Sequence, residues 1–78
     1  MMPRVINSFK ELRIVVAKLQ RRYNNAWAKH YLDQYLSNIH NPEARLQYLY
    51  RLLQILRKYD IRIDMKLLEK LMDGELGS

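Results

Sequence analysis

Seventy-eight residues, 49% apolar and 28% charged, with no cysteine and a formal net charge of +6, provide for one small hydrophobic core, since a chain this short buries only about 60–65% of its unfolded surface. That composition excludes a disordered chain, a disulfide framework and a thiolate metal centre. In the N-terminal part the longest apolar run, Ile14-Val15-Val16-Ala17, falls far short of the ~20 residues a membrane span needs, so a cytoplasmic protein without a membrane span is expected.

The charge is unevenly placed. Positions 1–30 hold Arg4, Lys10, Arg13, Lys18, Arg21, Arg22 and Lys29 against the single acid Glu11, whereas positions 31–78 hold seven bases and seven acids and cancel. The first thirty residues therefore carry the whole surplus. Fields of this kind argue for solubility and for contact with polyanions.

From the N-terminus, Phe9, Leu12, Val16, Leu19 and Tyr23 alternate steps of three and four, which makes one helical stripe that Val15 widens. Ser8 is placed to cap that helix. Beyond Asn24-Asn25 the stripe changes phase and passes to Trp27, Tyr31 and Tyr35, with Ala28, Leu32 and Ile39 beside them. The pattern is read as one long helix that continues through the asparagine pair and meets a different partner along its later half.

Asn41-Pro42-Glu43 predicts a helix start, with an acceptor at the cap, proline where no N–H is needed and an acid at the positive dipole end. This second helix is expected to run to about Tyr59. Leu46, Leu49, Leu53 and Leu56 form one stripe, and Tyr48, Leu52, Ile55 and Tyr59 form another beside it. So wide an apolar arc needs more than one neighbour. A second protomer is therefore expected to cover Tyr48, Leu49, Leu52, Ile55 and Tyr59. Asp60-Ile61-Arg62-Ile63 reads as a short connection, and Asp64 caps a third helix ending at Asp73 before Gly74. The expected architecture is all-α: a three-helix bundle of two long antiparallel helices and a short C-terminal one, dimerising, with residues 1–73 as one domain and 74–78 as a flexible tail.

No catalytic constellation emerges. The chain has only two glycines, both near its end, hence no phosphate loop. His30 and Asp33 stand three apart, but no third ligand converges with them, so neither a metal site nor a cofactor is expected. His30 is expected to be partly buried and His40 to lie at a helix end. Leu52–Met72 superficially offers a helix-turn-helix, yet no small residue opens the turn, and Glu69 and Asp73 would meet phosphates.

Candidate polyanion contacts are Lys10, Arg13, Lys18, Arg21, Arg22 and Lys29. Only Lys29 has an acid, Asp33, at helical pairing distance. Asp73 and Glu75 sit at the unfavoured negative end of the third helix, and the basic first helix is expected to compensate them. Tyr23, Trp27, Tyr31 and Tyr35 at helical spacing read as core, although base stacking uses the same residue types. The function expected is a small non-enzymatic regulatory or adaptor module that binds nucleic acid or a nucleoprotein through its basic N-terminal helix. The alternative is a pure protein-interaction module, such as an inhibitor, immunity or assembly factor, whose bases meet an acidic protein surface. Neither reading includes a small-molecule substrate.

Overall fold

The computed structural model describes residues 4–76. Its elements run β1 (Arg4–Ile6), α1 (Phe9–Tyr23), α2 (Trp27–Ser37), α3 (Pro42–Lys58), β2 (Ile61–Ile63) and α4 (Met65–Asp73). Among the described residues four helices thus replace the expected three, and a short parallel strand pair joins the segment before α1 to the segment after α3.

The caps read from the sequence form. The Glu11 N–H donates to Ser8 Oγ at 3.1 Å, that of Ala44 to Asn41 Oδ1 at 3.3 Å and that of Lys66 to Asp64 Oδ2 at 3.1 Å. The single long first helix does not form. Asn24 adopts the left-handed conformation at φ 53°, ψ 35°, which asparagine tolerates better than most side chains, and α1 ends there. Helix α2 starts again three residues later, and this break is what shifts the phase of the apolar stripe.

The segment Asp60–Ile63, read as a connection, is a strand. Arg4, Val5 and Ile6 pair with Ile61, Arg62 and Ile63 in parallel register, extended at the ends by Arg4 N–H to Asp60 O at 3.1 Å and Asp64 N–H to Ile6 O at 2.8 Å. The β-branched residues Val5, Ile6, Ile61 and Ile63 suit this geometry, and parallel pairing requires the long crossover that α1, α2 and α3 supply. With a strand between α3 and α4, no helix-turn-helix exists there.

The core gathers Ile6, Leu12, Val15, Val16 and Leu19 from the N-terminal half, Ala28, Leu32 and Tyr35 from α2, Leu49, Leu52, Ile55 and Leu56 from α3, and Ile61, Leu67 and Leu71 after it. Helix α3 is central, as its wide apolar arc implies, and packs against α2, β2 and α4. Leu49, Leu52 and Ile55 are buried within this one chain, which corrects their assignment to an interface: the broken first helix and the strand pair supply the neighbours that two helices could not. Tyr48 and Tyr59 are half-buried against the same core. Of the same arc, Leu46 stays exposed and Leu53 is half-buried.

At the far end of α4, among the described residues, no base of the first helix pairs with Asp73 or Glu75, and the base that reaches the helix end is Arg45 from α3. Its Nε donates to Met72 O at 2.9 Å and its Nη1 to Ile39 O at 2.7 Å, satisfying carbonyls that a helix end leaves open. The Tyr35 hydroxyl donates to Leu71 O beside it. Gly74 closes α4 at φ +72°, and a Cβ there would approach Arg45 Nη1 to 3.0 Å and Ile39 O to 3.2 Å. Residues 74–76, read as part of a tail, belong to the fold: Glu75 N–H donates to Lys70 O at 2.9 Å and Leu76 packs on the core. Residues 77 and 78 lie outside the described residues.

Leu52 is fully enclosed while Leu53 is only half-buried. Leu52→Ala should cost about 2–5 kcal/mol and Leu53→Ala about 1 kcal/mol in urea unfolding; equal costs would place both in the core. Burial lifts the Tyr35 phenol above its ordinary value near 10, with Arg45 acting in the opposite sense. Tyr35→Phe should cost about 0.5–1.5 kcal/mol at neutral pH by removing the buried bond to Leu71 O, which keeps the Gly74 N–H at 3.3 Å. Above about pH 10 the unfolded phenol loses its proton while the folded one keeps it. The folded state then binds more protons, so stability falls as pH rises toward the folded value. Unfolding curves at about pH 8 and about pH 10.5 should show this decline to be shallower in Tyr35→Phe.

Candidate functional site

The six candidate bases do not converge on one spot. Lys18 and Arg22 stand one turn apart and share a flank of α1. Lys10 and Arg21 project from the side of α1 opposite its buried stripe. Arg13 lies on the other flank, its guanidinium 5.8 Å from the centre of the Phe9 ring. Lys29 belongs to α2, where its Nζ sits 2.8 Å from Asp33 Oδ2 and is neutralised.

What the fold brings together is Lys18 and Arg22 from α1, Arg4 from β1 and Lys58 from the end of α3. These four bases and the single acid Asp60 line a cleft of about 500 Å³, floored by Val15, Leu19 and Ile61 and edged by Tyr23 and Tyr59. Arg4 reaches the cleft because β1 pairs with β2, and it also lies 3.6 Å from Glu11 Oε1. Lys18, Arg22 and Lys58 form no ion pair among the described residues. Sequence reasoning omitted Arg4 and Lys58 from the site. Lys58 sits in the polar strip of α3, and nothing in its own neighbourhood connects it to residues forty positions earlier.

A second hollow of about 410 Å³ adjoins Lys58 and is lined by Asn25, Trp27, Tyr31, Arg51, Gln54 and Ile55. The aromatic residues divide in a way periodicity did not foresee. Tyr35 is core and Tyr31 half-buried, but Trp27 and Tyr23 are 61% and 58% exposed. The Trp27 and Tyr31 rings stack at 5.8 Å with an interplanar angle of 30°, and the Arg51 guanidinium lies 6.0 Å from the Tyr31 centroid, a cation–π distance. Tyr23 and Tyr59 meet at 5.1 Å.

Asn25 locks this region. Its Nδ2 donates to Tyr59 Oη at 2.9 Å, its Oδ1 accepts the Trp27 N–H at 3.0 Å, and its own N–H donates to Leu19 O at 3.2 Å. One residue thus fixes the start of α2 and the Tyr59 ring through its side chain, and the exit of α1 through its backbone N–H.

His30, expected partly buried, is exposed, and its ring packs edge-on against Trp27 at 5.6 Å; His40 is exposed in the turn before α3. Among the described residues no three metal-ligating side chains converge, and no helix is long and apolar enough to cross a membrane. No family model, curated protein or solved structure matches the chain. The geometry suits binding of an extended anion: cations over an apolar floor, flanked by aromatic faces.

Asn25→Ala removes both side-chain bonds. It should cost about 0.5–2 kcal/mol, the range for losing a helix-start acceptor, and should blue- or red-shift the emission of Trp27, the chain's single tryptophan. An unchanged unfolding midpoint would remove Asn25 from its clamping role.

Proposed function

We propose that this protein is a non-enzymatic, cytoplasmic regulatory or adaptor module that binds a polyanion, nucleic acid or nucleoprotein, in the cleft between α1 and the end of α3. The observation that carries the reading is the convergence of Lys18, Arg22 and Lys58, none of them ion-paired among the described residues, on a cleft with one acid. Clustered cations without internal partners repel one another, and an anion that joins them relieves that repulsion and releases its own counterions. Lys10, Arg13 and Arg21 extend the field around α1 and act at longer range. The absence of cysteine suits a reducing compartment.

A protein partner is the second reading. It is favoured by the exposed Leu46 and Tyr50, which lie on a different face of α3 from Arg51 and Lys58, and by the hollow that Tyr50 shares with Leu53, Arg57, Arg62, Ile63 and Leu68. A second copy of the chain or an apolar and acidic segment would fit that face.

Fluorescence anisotropy with a labelled oligonucleotide, titrated at several salt concentrations, separates the two. Affinity should fall linearly on a log–log plot. Lys18→Ala, Arg22→Ala and Lys58→Ala should each flatten the slope by about 0.7–0.9, whereas Lys29→Ala, already held by Asp33, should leave it nearly unchanged. Binding weaker than about 100 µM at physiological salt would overturn the proposal in favour of the protein partner.

A further inference from the structure

Trp27 is the structural oddity of this surface. It is the chain's single tryptophan, it opens α2 about 80° around the helix from the buried Tyr35, and it leaves most of its ring in solvent. Beside it, Tyr31 offers a stacked ring braced by Arg51. Lys58 lines both this hollow and the basic cleft, so aromatic faces and cations adjoin, and the one acid of the two linings is Asp60.

Resting on the polyanion reading, we infer that the occupant is a single-stranded nucleic acid, with a base stacked on Trp27 and the backbone passing Lys58 toward Lys18 and Arg22. A duplex keeps its bases stacked on one another, so its phosphates could use the cations but nothing of it could use the exposed indole face. A flexible strand can use both, because every base has a face to stack and the cations track the backbone between bases. A polyanion without rings, such as a run of acidic side chains alone, would satisfy the charges and leave the ring unemployed. The break at Asn24 is what makes the juxtaposition possible. It restarts the helix so that Trp27 stands at its first turn, and Asn25 holds the Trp27 backbone at 3.0 Å.

The test uses the intact chain with fluorescein-labelled oligothymidylate of about 12 nucleotides, within the length such surfaces cover, a blunt duplex of equal length, and heparin as a polyanion without bases. Wild type should bind the single strand more tightly than the duplex, with quenching of Trp27 emission. Trp27→Ala should weaken single-strand binding about 5- to 100-fold, as loss of one stacked base does. Heparin and duplex binding should stay the same, and Trp27→Phe should restore part of the loss. Circular dichroism of each variant should match wild type, since the ring is exposed. Equal affinity for strand and duplex with no quenching, or equal loss for all three ligands in Trp27→Ala, would overturn the single-strand inference while leaving the polyanion reading intact. Failure to bind any of the three would overturn both.

Discussion

The left-handed turn at Asn24, with the Asn25 side chain bonded to Tyr59 Oη, is the constraint from which the rest of the molecule follows. A helix continuing straight from Phe9 to Ser37 would reach about 43 Å at 1.5 Å per residue, longer than the 34 Å major extent of the protein, and its later half would leave the core. By ending α1 at Tyr23, the turn lets α2 lie against α3 and bury Ala28, Leu32 and Tyr35. It also returns the end of α1 to the end of α3, where Tyr23 meets Tyr59. Asparagine suits this place because its amide both tolerates the conformation and supplies bonds that hold the neighbouring turn.

The two ends of the bundle are treated in opposite ways. At one, Arg45 and Tyr35 satisfy the carbonyls of Ile39, Leu71 and Met72, joining the α2–α3 turn to the C-terminus of α4 through bonds to backbone. Polar groups there are spent on the fold. At the other end, the groups are aromatic and cationic, and apart from Asn25 and Tyr59 they make few bonds to the protein itself. Side chains that the fold does not use are those available to a ligand. This contrast locates the candidate site at the α1–α3 end independently of the arithmetic of charge.

That arithmetic changes meaning in three dimensions. Among the described residues neither Asp73 nor Glu75 pairs with a base of the first helix, and the base at the end of α4, Arg45 from α3, serves backbone carbonyls. Glu11 finds Arg4 across the β1–α1 junction, and Lys29 finds Asp33 within α2. The surplus of the first thirty residues is thereby divided: part is paired, part spread around α1, and part gathered with Lys58 over the apolar floor of the cleft. A basic stretch became a basic site only where another element added to it.

The sequence by itself determined the helical class, the helix starts at Ser8, Asn41 and Asp64, the stop at Gly74 and the centrality of the helix that starts at Asn41, because caps and apolar periodicity are local signals read over one or two turns. It also showed the charge surplus and the phase change at Asn24-Asn25. Only the tertiary structure decided that this phase change is a break, since an asparagine pair can sit within a helix or end one, and the choice rests on Tyr59 lying thirty-four residues away. The strands were equally illegible: two β-branched residues in each three-residue segment are too few to stand alone, and each is a strand only because the other lies beside it. For the same reason the interface residues Leu49, Leu52 and Ile55 went inside, since their cover came from elements that local pattern could not pair. Exposure of Trp27 and the meeting of Lys18, Arg22 and Lys58 likewise depend on contacts distant in the chain, and such contacts are made by packing, not by periodicity.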